Sequence, residues 1–131
     1  MQTIRLSLIA AVLVAMRSAA VLNASGLRAT PGGSVERGRY LVGAAGQCAD
    51  CHGGRYQGSA LDFLNPALPP AVARKAPKIA GLPMFHDEAA AVRFLQTGQL
   101  PDGKSARPPM PQYRFSNSDA TAIVAYLKTL R

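Results

Sequence analysis

At 131 residues the chain holds one domain, and 48% apolar composition without a low-complexity run or internal repeat is that of a globule. The formal charge is +8, but the fifteen Lys and Arg residues are dispersed and not interleaved with aromatics, which argues against a nucleic-acid partner and suits an acidic protein patch or anionic headgroups. The two cysteines lie in one short motif, so no disulfide framework exists to stabilise a small core.

Residues 1–5 form a short basic start, and residues 6–16 an apolar stretch about eleven residues long. Ser18-Ala19-Ala20 supplies small residues at the cleavage positions, Leu22-Asn23-Ala24 is a second, poorer site, and 1–24 reads as a secretory signal peptide. The rival is an uncleaved anchor that would give membrane contact through the N-terminus. As a helix the stretch would span roughly 16 Å, against roughly 30 Å of hydrocarbon. Cleavage is favoured, and it would lower the charge by two through loss of Arg5 and Arg17. Residues 25–33, with Gly26, Pro31, Gly32 and Gly33, read as a flexible lead-in to a domain over 34–131.

Ser34 is a candidate N-cap for a helix over 35–45, with Val35, Leu41 and Val42 at apolar positions. Gly38 inside it costs about 1 kcal/mol relative to alanine; it is either a tolerated surface glycine or the site of a close helix crossing. Next comes Cys48-Ala49-Asp50-Cys51-His52. C-x-x-C-H reads as a covalent c-type haem attachment site, with two thioethers from Cys48 and Cys51 and His52 carried to the iron. Zinc requires four ligands, and beyond this motif the chain offers only His86, far downstream. A thiol-exchange site calls for a neighbouring βαβ pattern, and no strand-rich stretch precedes Cys48.

Residues 53–83 contain Pro66, Pro69, Pro70, Pro77 and Pro83 and cannot form a long helix. A connection of that length suggests a segment that wraps a ligand, with Leu61, Phe63, Leu64 and Ile79 offering apolar contact. A short helix follows over 87–97, with Asp87 and Glu88 at its positive end and Gly98 as its stop. His86 just before it is a loop or cap residue, or a second iron ligand. Pro101-Asp102-Gly103 marks a turn. Pro108-Pro109-Met110-Pro111 places a thioether in a stiffened loop, as a weak axial ligand requires, and Met84 beside Pro83 is the competitor. Ser116-Asn117-Ser118-Asp119 matches the S-x-x-D cap, and Ala120, Ile123, Val124, Leu127 and Leu130 form one apolar face of a final helix.

Three blocks in this order, Gly38-Arg39-Tyr40-Leu41-Val42 before the C-x-x-C-H motif, then Pro109-Met110-Pro111, then the 122–128 stretch Ala-Ile-Val-Ala-Tyr-Leu-Lys, make the chain from Ser34 onward resemble the class I cytochromes c. It looks most similar to haem domains of bacterial dehydrogenase cytochrome subunits. The resemblance implies an all-α class I cytochrome c fold in which the N- and C-terminal helices cross, with helices and loops wrapped round one covalent haem c. It implies a helix crossing near Gly38 and Tyr126, and it selects Met110 over Met84 as the axial partner of His52. It also implies that a backbone carbonyl within 53–83 accepts the second N–H of His52, which we expect at Leu64 to Pro66. Tyr113, Arg114, Lys104 and Arg107 flank the ligand loop, either as propionate partners or as plain surface.

The function so implied is periplasmic electron transfer, not catalysis. Redox partner proteins, a dehydrogenase donor and an oxidase or cytochrome acceptor, would exchange electrons with it. The alternatives are a haem subunit of a periplasmic dehydrogenase complex and, with Met110 off the iron, a five-coordinate haem protein that binds gas or peroxide.

Overall fold

Residues 34–131 are described by the computed structural model; the expected signal peptide 1–24 and lead-in 25–33 lie outside the described residues. Ser34 caps α1 (Val35–Tyr40), its hydroxyl oxygen accepting from the Arg37 amide at 3.1 Å. The expected helix over 35–45 is present, but its second half, Leu41–Ala45, is a π-helical turn closed by the Gly46 amide on the Leu41 carbonyl at 2.7 Å. The wider turn accompanies burial of two successive side chains, Leu41 and Val42. Gln47, at φ 47°, then reverses the chain into α2 (Cys48–His52). A left-handed backbone is uncommon for a residue other than glycine.

The long irregular stretch does contain one regular feature. β1 (Ser59–Ala60) pairs antiparallel with β2 (Lys75–Ala76), Ser59 opposite Ala76 and Ala60 opposite Lys75. Between them the chain is shaped by arginines. The Arg74 guanidinium donates to the carbonyls of Asn65, Pro66 and Leu68 at 2.8, 3.1 and 2.8 Å. Arg107 donates to those of Pro70, Ala71 and Val72 at 2.5, 3.1 and 3.3 Å. Prolines bring carbonyl acceptors without amide donors, so a proline-rich loop cannot satisfy itself, and a five-donor guanidinium fills the deficit.

α3 (Glu88–Thr97) is capped by Asp87, whose carboxylate accepts from the Ala90 amide at 2.7 Å, and ends at Gly98 with φ 74°. α4 (Asn117–Thr129) is capped by Ser116 through the Asp119 amide at 3.2 Å. It buries Ala120, Ala122, Ile123, Val124 and Leu127, while Leu130 at its end is only partly covered. α1 and α3 both pack on α4.

Gly38 marks the place where α1 meets α4. A Cβ built there would stand 2.7 Å from the Ala122 carbonyl carbon and 2.7 Å from the Tyr126 Cβ, so only glycine permits this approach. The helix crossing at Gly38 and Tyr126 is therefore present, and the surface-glycine alternative is not. Arg37 and Asp119 pair across the same crossing at 3.0 Å, and Lys128 pairs with Glu88; such exposed pairs contribute little.

The core cluster is thin: Leu41, Val42, Ala122, Ile123 and Leu127, rimmed by partly buried residues including Tyr56, Ile79, Leu95 and Phe115. Among the described residues the largest fully buried side chains are Val42 and Val124. Four of the ten buried apolar residues are alanines, so this core carries little apolar volume of its own. No helix among the described residues is long and apolar enough to cross a membrane.

Candidate functional site

α2 is a single turn and a half whose two thiols, three residues apart, share a face. Cys48 and Cys51 are free and half-buried. Burial pushes the Cys48 thiol up, assisted by the charges of Cys51 and Asp50 and opposed by a backbone hydrogen bond. A raised thiol pKa means less thiolate at a given pH. In the haem-free chain, folded as described, Cys48 is therefore expected to react with iodoacetamide at pH 8 more slowly than free cysteine. Peptide mapping of the alkylated protein reads this, and urea should abolish the difference. Among the described residues no group of three or more His, Cys, Asp and Glu side chains is arranged to hold a metal ion, the arrangement a zinc site needs.

His52 is 5% exposed, the one buried polar residue among the described residues. Its Nδ1 lies 2.7 Å from the Pro77 carbonyl oxygen. A carbonyl only accepts, so Nδ1 carries the proton and donates it. That fixes the tautomer and leaves the lone pair on Nε2, which bonds to nothing among the described residues. The imidazole is thus buried, oriented and in its metal-ligating form.

The acceptor corrects the expectation of Leu64 to Pro66. The Asn65 and Pro66 carbonyls are taken by Arg74. The β1–β2 pairing instead swings Pro77, one residue past β2, onto the ring. Gly58 makes room for it. Its amide donates to the His52 carbonyl at 2.9 Å, its φ is 88°, and a Cβ there would sit 2.8 Å from the Ala76 oxygen and 3.0 Å from the Pro77 carbonyl carbon. Neither Gly58 nor Pro77 stood out in the sequence. The only available signal was a proline between Ala76 and Lys78, in a stretch already full of prolines.

Met110 is partly buried and sits in a turn closed by its own amide on the Arg107 carbonyl at 3.1 Å. The rival Met84 is 46% exposed, and His86 is exposed beside the Asp87 cap. Of the apolar residues expected to wrap a ligand, Leu61 is buried, Leu64 and Ile79 are partly buried, and Phe63 stands 68% exposed in solvent.

The four residues named as propionate partners are engaged otherwise. Arg107 holds the 70–72 carbonyls, and Arg114 donates to the Gln112 and Tyr113 carbonyls at 3.3 and 2.8 Å. Lys104 pairs with Asp102 at 3.0 Å. Tyr113 donates its hydroxyl to the Gly46 carbonyl at 2.9 Å, and its ring stacks on Phe115 with centroids 4.9 Å apart and planes 25° from parallel.

The donor set fits a c-type haem. Two free thiols share one helical face, a buried imidazole stands in its ligating tautomer, and the core needs more apolar volume. The model of one protein family, described as Cytochrome c, matches residues 35–131. No curated protein and no solved structure matches the chain.

Proposed function

The chain belongs to the class I c-type cytochromes, all-α haem proteins of electron transfer, and we propose that it is an exported electron carrier with one haem bonded to Cys48 and Cys51 and ligated by His52 and Met110. The observation that carries this reading is the buried His52, proton held on Nδ1 by Pro77 and Nε2 free, immediately after the two thiols. The hydrogen bond from the Tyr113 hydroxyl to the Gly46 carbonyl, which ties the Met110 segment to the chain just before the attachment helix, supports the ligand pair.

When bound, the haem supplies a ferric/ferrous couple. His52 offers a strong nitrogen donor and Met110 a weak thioether, a pair that raises the potential relative to two nitrogen donors. With His52 and Met110 both holding the iron, a substrate or gas would have to displace a side chain to bind. The chain therefore carries charge and makes no bonds. Pro77 keeps the imidazole from rotating, and Arg74 and Arg107 together brace the proline-rich loop between β1 and β2.

Export to a bacterial periplasm is supported by the basic, apolar and small-residue order of residues 1–24, and by the attachment of haem on the outer face of the membrane that resemblance to c-type cytochromes implies. A basic excess suits acidic docking faces on redox partners. Resemblance to dehydrogenase haem subunits makes a periplasmic dehydrogenase the donor to seek first, by co-purification.

The test is an alkaline pyridine haemochrome spectrum and an intact mass of protein matured in a haem-attaching host. We expect one haem per chain, both vinyl groups saturated, and a mass lacking the signal peptide, cut after Ala20 or Ala24. A colourless protein with two titratable thiols would overturn the haem reading. Retention of the full N-terminus would overturn cleavage alone.

A further inference from the structure

The segment that carries Met110 is tied to the rest of the protein at two places. Upstream, Arg107 grips the 70–72 carbonyls and the Ala73 amide donates to the Pro108 carbonyl at 2.7 Å. Downstream, the tie is the Tyr113 hydroxyl on the Gly46 carbonyl, joining positions 67 apart in sequence. Among the described residues it is the only hydrogen bond between residues 107–115 and residues 41–52.

Both ends of that bond are rigid. Gly46 closes the π-helical turn through its own amide, and directly precedes the left-handed Gln47 that aims α2. A Cβ on Gly46 would lie 3.3 Å from the Cys48 sulfur and 3.8 Å from the Tyr113 oxygen, so the hydroxyl sits at the entrance to the attachment helix. On the other side the tyrosine ring is stacked on Phe115, whose amide donates to the Leu95 carbonyl at 3.2 Å in α3. The hydroxyl therefore reaches its acceptor from a ring that does not have to be ordered first.

We propose that Tyr113 is a positioning residue that latches the Met110 segment to the Cys48–His52 helix and so holds the methionine at its post. The inference rests on reading Met110 as an axial ligand. For Met110 to leave, its segment must swing out, and the short path from Met110 to Tyr113 means the latch opens with it. Removing the hydroxyl takes one hydrogen bond from the closed state alone and leaves the ring stack in place. One neutral hydrogen bond shifts such an equilibrium by about threefold to tenfold.

The experiment titrates imidazole, an external nitrogen donor that competes with the thioether, into ferric holoprotein. Loss of the red absorption band of methionine-ligated haem is followed. Tyr113→Phe is expected to bind imidazole about threefold to tenfold more tightly than the unaltered protein. Tyr40→Phe, at a ring 57% exposed on α1, should titrate as the unaltered protein does. Unaltered imidazole affinity in Tyr113→Phe overturns the latch, even if its melting temperature falls, because that combination describes a purely structural tyrosine. An unchanged spectrum in Met110→Ala would instead reject the ligand assignment itself, so the two failures are read separately.

Discussion

Replacing Gly38 by alanine is expected to destabilise the holoprotein by about 3 kcal/mol, the upper end for forcing one extra group into a packed crossing. For a domain of this size that is a fall of about 15 °C in Tm, read by far-ultraviolet circular dichroism. The added methyl would meet the Ala122 carbonyl and the Tyr126 Cβ, one of them backbone of α4 that cannot rotate away. Gly43 provides the internal control. It lies only five residues on, its Cβ would meet nothing within 4 Å, and alanine there removes backbone freedom from the unfolded chain. Gly43→Ala should therefore melt at or slightly above the unaltered protein. Equal melting of the two variants would mean that α1 and α4 do not approach as closely as described.

Met110→Ala is expected to convert the ferric spectrum from low-spin to a form that binds imidazole or cyanide without competition. The potential should fall by an amount on the order of a few hundred millivolts, within the roughly 0.8 V span that axial ligands command. The methionine is partly buried in a loop that Arg107 and Tyr113 both anchor, so the loop is held in place when the thioether is removed. Met84→Ala, at a side chain 46% exposed, should leave spectrum and potential alone. A reversed pattern would move the assignment to Met84. Spectroelectrochemical titration of the two variants decides the matter.

Local chemistry made much of this structure readable from the residues. Ser34 and Ser116 were recognisable as caps because each pairs a short polar side chain with an amide three residues on, whereas Asp87, read as the first residue of its helix with His86 as the possible cap, is itself the cap. Gly98 was recognisable as a stop because it ends an apolar rhythm. The face of α4 followed from its 3.6-residue spacing, although Ala122, the residue that touches Gly38, lies off the stripe of larger side chains.

The unreadable features are those built by contacts distant in sequence. The π-helical turn runs through Gly43, Ala44 and Ala45, small residues that carry no periodic signal. The Pro77 acceptor depends on two strands of two residues each, fourteen or more positions apart, which no pattern announces. Arg74 and Arg107 look like surface cations in the sequence, because the carbonyls they satisfy are unsatisfied only once the proline-rich loop has folded. Tyr113 was noticed for its place beside Met110, but its partner Gly46 lies on the far side of the site.

The identity of the group facing His52 has one more consequence. An amide oxygen is far too feeble a base to strip an imidazole of its hydrogen, whereas a carboxylate in the same spot would pull the ring toward an anionic donor. With Pro77 as neighbour, the ring keeps the same composition whichever way the metal's charge swings. An electron exchanged at a haem held by His52 would then leave the hydrogen between ring and carbonyl where it is.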